Sequence, residues 1–310
     1  MTLPKEVLQK TEDLISGVPI SNLKQVAGQL SDTYRNSART GAELINNNLS
    51  VLAYIASRMP ATYSAISFTL NQAKPQLDEL GIKTVLDVGA GPGTATIAIG
   101  ENFKDVEVTL LERNSNMVAV GKELLSKLNI VNHWQEDDIT KTDIKADLIV
   151  SAYMLNEIPK SAIESTVTKL YNNANKALII VDNGTKDASQ NLKKVRETLI
   201  SLGANIVAPC ANHNECKNEW CHFSVRVQRT KLHKILKGGE APYEDEKFTY
   251  IVAIKTPCES EERILRHPKI LKGRVQLQLC TRNGVENKVI TKQQKELYKL
   301  ARKLNWGDSL

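Results

Sequence analysis

Three glycines and one acid stand together at the end of an apolar run early in this 310-residue chain. Asp87 is followed by Gly89, Gly91 and Gly93, and the residues before it are mostly β-branched or aliphatic. Glycines at this spacing permit positive φ angles and let a ligand approach the backbone closely. The residues from Thr94 onward have helical character, so the pattern predicts a strand, a ligand-binding turn and a helix N-terminus that faces the ligand.

The glycine spacing separates this turn from the one that binds a pyrophosphate. The dinucleotide fingerprint is G-x-G-x-x-G, whereas this chain has G-x-G-x-G with an acid two residues before it. The turn resembles the S-adenosylmethionine (SAM) loop of class I methyltransferases. That resemblance implies that the loop backbone lies against the methionine part of SAM, and that Asp87, Gly89, Gly91 and Gly93 belong to the cofactor site.

Further acids follow the next two strand patterns. Glu112 ends the second strand, 25 residues after Asp87, and a carboxylate at that position can accept both ribose hydroxyl groups. Asp137 and Asp138 follow a short strand-like run from Val131 to Trp134. Class I methyltransferases often place an acid near the adenine amino group here, and we expect Asp138 to take that role.

The fourth strand, Asp147 to Ser151, opens into the sequence AYMLNEIP. This position usually presents groups to the substrate in such folds, and the candidates are Tyr153, Asn156 and Glu157. Helix capping or packing is an equally good explanation for all three. The segment lacks the Asn/Asp-Pro-Pro-Tyr/Phe tetrapeptide of amino-methylating enzymes, and no catalytic base or nucleophile can be named from the sequence.

Three of the five cysteines, Cys210, Cys216 and Cys221, lie within twelve residues. Without a secretion signal, clustered thiols more often indicate metal or redox chemistry than disulfides. The C-x5-C-x4-C spacing is not the close C-x2-C pair of structural zinc, which favours an iron–sulfur cluster. Zinc and three free thiols remain alternatives, and His213 or His222 could complete a mixed site.

A fourth thiol ligand would be Cys258 or Cys280, and residue alternation favours Cys280. In RVQLQLC, the residues Val275, Leu277 and Leu279 point to one side of a strand while Cys280 points to the polar side. Asn283-Gly284 then indicates a hairpin turn.

The net charge of +6 is concentrated at the C-terminal end. Residues 226–310 contain 19 Lys and Arg but only 10 Asp and Glu. We expect this surface to contact a polyanion through salt-sensitive phosphate contacts, although a solvated helix face is the alternative explanation. Few aromatic residues accompany these charges, so stacking on single-stranded bases has little support there.

The beginning of the chain has neither an apolar signal core nor an Arg-rich presequence, and no apolar run could span a bilayer. We therefore expect a cytoplasmic protein with no membrane partner. A mitochondrial matrix protein whose targeting peptide is missing is the alternative.

Several segments together resemble a methyltransferase-like family of mitochondrial small-ribosomal-subunit assembly factors and their bacterial relatives. The chain segments LAYIASRMPATYSAI, VLDVGAGPGTATIA, APCANHNECKNEWCHFSVRVQR, LCTRNGVENKVITK and ARKLNWGD carry this resemblance. Asn212 stands where the family pattern has His, with His213 displaced by one, which weakens a ligand role for histidine.

The resemblance implies a class I SAM-dependent methyltransferase (Rossmann-like) α/β fold and a 4Fe-4S cluster held by Cys210, Cys216, Cys221 and Cys280. It further implies binding to the small ribosomal subunit and its rRNA, with no DNA partner. Methylation of rRNA or a ribosomal protein, a non-catalytic assembly role, and a zinc-stabilised small-molecule methyltransferase are the functions to be weighed.

The sequence predicts three regions. An N-terminal helical region, residues 1–78, is interrupted at Pro60 and caps the SAM site. Residues 79–259 form the methyltransferase-like domain with a Cys-rich insertion at 205–235, and residues 260–310 form a basic extension with a β-hairpin and a terminal helix.

Overall fold

The computed structural model describes residues 1–36, 45–139 and 141–310. Among these residues, five helices precede the first strand: α1 (Lys5–Ile15), α2 (Ile20–Asn36), α3 (Asn48–Ser57), α4 (Met59–Gln72) and α5 (Lys74–Glu79). Pro60 occupies the first turn of α4, where the missing N–H would have no helical partner, so one helix ends and the next begins at the predicted interruption. The part of the predicted helical region at residues 37–44 lies outside the described residues.

A central sheet of eight strands follows. Its strands are β1 (Thr84–Val88), β2 (Glu107–Leu111), β3 (Val131–Gln135), β4 (Ala146–Ala152), β5 (Ala174–Asn183), β6 (Asn205–Ala208), β7 (Phe223–Gln228) and β8 (Tyr243–Ile254). The spatial order is β3-β2-β1-β4-β5-β8-β6, with β7 paired to the first half of β8. Strands β1 to β5 are parallel, and β8 runs antiparallel to its neighbours β5 and β6.

Helices cover both faces of this sheet. Those that connect or follow its strands are α6 (Thr94–Asn102), α7 (Ser115–Leu125), α8 (Ile163–Asn173), α9 (Lys186–Ser201) and α10 (Lys231–Lys237). Side chains alternate along β1, so that Val85 is buried with the N-terminal helices while Leu86 and Val88 are buried with α8 and α9. The strand order reverses between β1 and β4, and ligands of doubly wound sheets bind beyond the strand ends at such a point. The predicted Rossmann-like α/β fold is confirmed.

A cluster of aromatic side chains joins the N-terminal helices to strands β7 and β8 of the sheet. Phe68 of α4 packs within 6.5 Å of the rings of Phe223, Phe248 and Tyr250 on β7 and β8. Phe223, Phe248 and Tyr250 are fully buried in the main core, and Phe68 is partly buried against it. The helical region is therefore packed directly on the sheet.

The cysteine segment, residues 209–222, connects β6 to β7. The predicted insertion at 205–235 thus also supplies two strands of the sheet and most of helix α10. The boundaries of the three predicted regions stay predictions.

The chain ends in a small antiparallel sheet with its own apolar core. It contains β9 (Arg263–Ile264), β10 (Lys269–Leu271), β11 (Arg274–Thr281) and β12 (Gly284–Thr291), followed by α11 (Lys295–Ala301). Thr281 pairs with Gly284, so the hairpin turn is Arg282–Asn283, one residue before the predicted Asn283-Gly284. Arg263 is fully buried and its guanidinium donates to Gln72 of α4 and to the Gly307 carbonyl oxygen, which joins this extension to the helical region. Among the described residues, no helix combines the length and the apolar character that crossing a bilayer requires.

Candidate functional site

A cavity of about 1620 Å³ lies beyond the carboxyl ends of the parallel strands. Helices α2, α3 and α4 line one side of it, the turns after β1, β2 and β4 line the base, and Trp220 of the cysteine segment lines the rim. Ligand cavities in proteins typically measure roughly 300–1,000 Å³, so this one has room for a cofactor and part of a second molecule.

The glycine turn forms the base of this cavity, and each glycine has a positive φ angle: +64° at Gly89, +54° at Gly91 and +81° at Gly93. A Cβ atom at Gly89 would lie 2.9 Å from the Cγ of Met154, and one at Gly93 would lie 3.1 Å from a methyl carbon of Leu125. At Gly91 a Cβ would meet no heavy atom within 4 Å, because it would point into open space. Gly91 is therefore the glycine at which a side chain would enter the cavity.

Asp87 is buried and does not line the cavity. Its Oδ2 accepts hydrogen bonds from the backbone N–H of Thr96 at 3.1 Å and from the Thr96 hydroxyl at 2.7 Å. Burial raises the pKa of this carboxyl group to about 7, against the lowering effect of the two hydrogen bonds. Asp87 thus ties the strand end to the first turn of α6 and holds the glycine turn in place.

Glu112 and Asp138 both reach the cavity. One carboxylate oxygen of Glu112 accepts from the Gly91 N–H and the other from the Asn114 N–H, each at 2.8 Å. Each oxygen keeps a lone pair for a further donor such as a ribose hydroxyl. The N–H of Asp138 donates to the side chain of Asp137 at 2.7 Å, and both acids line the same wall.

The side chains of Tyr153 and Asn156 line the cavity but are bound to other side chains. The Tyr153 hydroxyl donates to Glu246 at 3.1 Å, and Asn156 donates to Asp182. Tyr153 has a φ of +61°, an uncommon value for a residue with a side chain and one that is found most often at functional sites. Its backbone N–H donates to the Val181 carbonyl oxygen at 2.7 Å, which holds it in that conformation.

Glu157 is the third candidate, and its side chain is exposed to the cavity. The surrounding protein partly desolvates the carboxyl group and the charge of Glu112 repels it, which together raise its pKa to about 7. Solvent in the cavity reaches this group and moderates the shift.

Sequence reasoning missed a group of charged side chains that also line the cavity. Arg58 of α3–α4 donates to both carboxylate oxygens of Glu246 on β8, at 3.1 and 3.4 Å. On the same strand, Glu244 accepts from Arg229 at 2.9 Å and from Lys237 at 2.6 Å. Arg58 lies inside the RMPATY run that carried the family resemblance, but its partner is 188 residues away and no local signal indicates it.

The four predicted cysteine ligands are grouped, and Cys258 is not with them. The thiols of Cys216 and Cys280 raise the pKa of Cys210. The thiols of Cys210, Cys216 and Cys280 raise the pKa of Cys221. Burial is the larger effect and raises the pKa of Cys210 to about 12. Near Cys258, by contrast, the groups that raise its pKa after burial are all carboxylates.

Hydrogen bonds bring the distant Cys280 to the cysteine segment. The Asn212 amide donates to the Thr281 carbonyl oxygen at 2.5 Å, and the Asn214 amide donates to that of Arg282 at 3.1 Å. The segment is therefore fastened to the hairpin turn next to Cys280.

Three arginines lie near enough to these thiols to affect their ionisation. Arg196, Arg263 and Arg266 each lower the pKa of one or more of them, although burial outweighs this effect. An N–H···S bond from Ala211 acts on Cys280 in the same direction. Positive charges and N–H donors of this kind favour thiolates, the form in which cysteine binds a metal.

In the described part of the chain, no three Cys, His, Asp or Glu side chains have an arrangement that would hold a metal ion as they stand. The two candidate histidines have other contacts. His213 Nε2 accepts from the Ile206 N–H at 3.3 Å, and the His222 ring stacks on Trp220 at 4.0 Å. The four thiols and their surroundings suit a thiolate-bound group in chemical type, and the metal remains a prediction.

The sheet order and the glycine turn define a class I SAM-dependent methyltransferase fold. Residues 48–310 match the family described as mitochondrial small ribosomal subunit Rsm22, and the chain belongs to that family. The family expected from the sequence is thereby confirmed.

The human mitochondrial ribosome assembly protein METTL17 is 23% identical to this chain over 293 residues, which cover 84% of the chain and 62% of METTL17. The chain thus spans less than two thirds of the length of this relative.

Two solved methyltransferases illustrate the structural similarity. The magnesium protoporphyrin IX methyltransferase of Synechocystis, solved with bound SAM, has a TM-score of 0.43 and 13% identity over 82% of this chain and 98% of its own. A putative RNA methyltransferase of Pyrococcus horikoshii has a TM-score of 0.40 and 14% identity over 61% of this chain and 81% of its own.

Proposed function

We propose that this protein binds SAM, carries a 4Fe-4S cluster on Cys210, Cys216, Cys221 and Cys280, and acts on the small ribosomal subunit during assembly. It would work on a mitochondrial ribosome in a eukaryote and on a cytoplasmic ribosome in a bacterium. The family membership and the name of the human relative support the ribosomal partner. The basic C-terminal extension supports contact with rRNA.

The observation that carries the cluster proposal is the grouping of four thiols from two distant parts of the chain. The cysteine segment supplies three of them and strand β11 supplies the fourth. Four cysteine thiolates are the usual ligand set of a 4Fe-4S cluster. Cluster binding would join the cysteine segment to the C-terminal extension, so that metal content and folding would be linked.

The SAM proposal rests on the base of the cavity. Gly91 leaves space where any other residue would place a side chain, and Glu112 keeps acceptor capacity beside it. Asp138 also lines the cavity and would accept a hydrogen bond from the adenine amino group. In this arrangement Gly89 and Gly93 shape the turn, and Asp87 holds it to α6.

The first test is anaerobic purification with measurement of visible absorption and of iron, sulfide and zinc. Cys280→Ser is compared with Cys258→Ser, which removes a thiol that lies away from the other four. We expect a broad absorption band and matched iron and sulfide in the wild type and in Cys258→Ser, and their loss in Cys280→Ser. Zinc alone in the wild type would contradict the cluster and favour a zinc-stabilised small-molecule methyltransferase.

Methyl transfer is the second candidate function, and Glu157 is the observation that favours it. SAM, when bound, supplies an electrophilic methyl group. A carboxylate with a pKa near 7 that faces the cavity would hold the proton that an O–H or N–H acceptor releases on methylation. Incubation with methyl-labelled SAM and purified small subunits tests this, with Glu157→Gln as the variant. Binding without turnover in the wild type would leave the non-catalytic assembly role.

A further inference from the structure

The indole ring of Trp220 forms part of the cavity rim. Its N–H donates to the Gly184 carbonyl oxygen at 2.9 Å, at the end of β5. The imidazole of His222 stacks on the ring at a centroid distance of 4.0 Å and an interplanar angle of 20°. His222 therefore covers one face of the indole. The hydrogen bond of the indole N–H fixes the orientation of the ring.

Two lysines hold their ammonium groups over this ring. The Lys247 Nζ lies 5.5 Å and the Lys186 Nζ lies 5.9 Å from its centroid. Both side chains are exposed, and neither forms an ion pair with any described carboxylate. The nearby acids of the cavity wall are already occupied, since Asp187 pairs with Lys160 at 2.7 Å and Asp245 pairs with Arg226 at 3.1 Å.

These lysines differ from three cations that line the cavity wall. Arg58 is bound to Glu246, while Arg229 and Lys237 are bound to Glu244. Arg113 also lines the cavity and lies near Glu157. The two lysines place positive charge that has no ion-pair partner among the described residues beside the indole ring of Trp220. An aromatic platform with adjacent free cations is the arrangement that binds single-stranded nucleic acid.

We propose that Trp220, Lys186 and Lys247 form a binding site for a nucleotide of single-stranded RNA at the cavity mouth. A base would stack on the indole in place of the ammonium groups, which would move to the flanking phosphates. Asn156 and Glu157 line the same cavity as Trp220. This proposal rests on the proposed function, which supplies the RNA partner. The proposed nucleotide site is distinct from the basic C-terminal extension.

The test is the binding of a fluorescein-labelled twelve-residue oligouridine, followed by fluorescence anisotropy at several salt concentrations. The variant is Lys186→Gln/Lys247→Gln. Its matched control is Lys104→Gln/Lys194→Gln, which makes the same charge change on exposed positions of the coil before β2 and of α9. We expect roughly tenfold weaker binding in the variant only, with the slope of log K against log salt reduced by about 1.4, or 0.7 for each phosphate contact.

A second pair of variants tests the stacking. Trp220→Leu should weaken binding by roughly 5- to 100-fold, whereas Trp220→Phe should retain most of the affinity because it keeps an aromatic face. The lysine variants leave the indole in place, so they remain informative if Trp220→Leu does not fold.

The outcomes separate this proposal from the one on which it rests. Equal weakening in the variant and its lysine control would overturn the rim site as a mere effect of net charge. Unchanged binding in the rim variant, together with weaker binding when the lysines of α11 are removed, would overturn the rim site and leave the RNA-binding function standing. A wild-type protein that binds neither oligouridine nor rRNA would overturn both.

Discussion

At the scale of single residues, the three glycines of the turn are required for different structural reasons. Gly89 and Gly93 are required by close neighbours, since added Cβ atoms would press on Met154 and Leu125. Gly91 has no such neighbour and is required by its φ angle and by the space of the cavity. Substitutions at these positions should consequently fail for different reasons.

Gly91→Val should abolish SAM binding while the protein remains folded, because the new side chain would enter the cavity. The left-handed backbone costs about 1–2 kcal/mol for a residue with a Cβ atom. Gly81→Val is the matched control, since Gly81 has a φ of +57° and an added Cβ there also meets no heavy atom within 4 Å. Isothermal titration calorimetry with SAM and thermal denaturation measure the two effects. Retained affinity in Gly91→Val would remove the glycine turn from the SAM site.

Asp87 should make folding stability depend on pH near neutrality. Burial raises its pKa to about 7, whereas an unfolded aspartate ionises near pH 4. The stability that it contributes is complete below about pH 4 and is lost as the pH rises through 7, by at most about 4 kcal/mol. Relative to Asp87→Asn, the wild type should therefore lose melting temperature between pH 5 and pH 8.

Asp147→Asn is the control for this titration. Although partial burial opposes it, hydrogen bonds from Lys83 and Lys176 hold the pKa of Asp147 below its ordinary value, so Asp147 titrates below this window. The difference in melting temperature between wild type and Asp147→Asn should stay constant from pH 5 to pH 8. A constant difference for Asp87→Asn as well would show that its carboxyl group is already ionised throughout.

At the scale of elements, one ion pair joins the helical region to the sheet beside the cavity. Arg58 ends α3, Glu246 lies on β8, and Tyr153 follows β4. Their hydrogen bonds form a single group in which the carboxylate accepts from both partners. The helices that cover the cavity are thus held to the strands that form its base.

Glu246→Gln should destabilise the protein by roughly 2 kcal/mol, because it leaves the mostly buried Arg58 cation without its charged partner. The neighbouring Asp245→Asn is the matched control. Its ion pair with Arg226 is about half exposed on both sides and should contribute less than about 1 kcal/mol. Urea denaturation measures both free energies of unfolding, and equal decreases would argue against a special role for the Arg58 contact.

The cysteine segment is the second element that joins separate parts of the chain. Trp220 faces the cavity, and the next residue, Cys221, belongs to the thiol group. The Cys221 N–H donates to the Ser189 hydroxyl at 2.9 Å, which anchors the segment to α9. A cluster and a cavity ligand would therefore share one short stretch of backbone.

At the scale of the whole molecule, charge is separated along the chain. The C-terminal extension has its own apolar core and exposes most of its lysines on and around α11. Lys299 pairs with Glu296 at 2.8 Å across an exposed surface, an ion pair that contributes little and leaves the surface positive.

Replacing Lys292, Lys295, Lys299 and Arg302 by Gln should weaken binding to small-subunit rRNA and lower the salt slope by up to about 3.6, or roughly 0.7 to 0.9 for each phosphate that is no longer neutralised. The control replaces four exposed lysines of the methyltransferase-like region, Lys104, Lys127, Lys141 and Lys145. Filter binding over a salt series measures the slope. The same slope in wild type and variant would assign these residues to a solvated helix face.

Local patterns predicted the parts of this protein that neighbouring residues build. The alternation and the glycines of residues 85–98 indicated a strand, a turn and a helix, because strand and helix periods and positive φ angles are properties of short stretches. The same holds for Cys280 on the outer side of β11, whose neighbours Leu279 and Thr281 are buried. The family resemblance rested on segments of this kind and is confirmed by the match over residues 48–310.

Contacts between distant residues were decided by the tertiary structure. Asp87 has a cavity beside it but binds Thr96, since a buried carboxylate is most stable with the nearest N–H donors. Arg58 meets Glu246, and Cys280 reaches the other thiols, only because helices and hairpin pack where they do. The sequence by itself determined the elements and the residue types at their ends; the packing of those elements determined which ends meet, because that depends on the fit of whole surfaces.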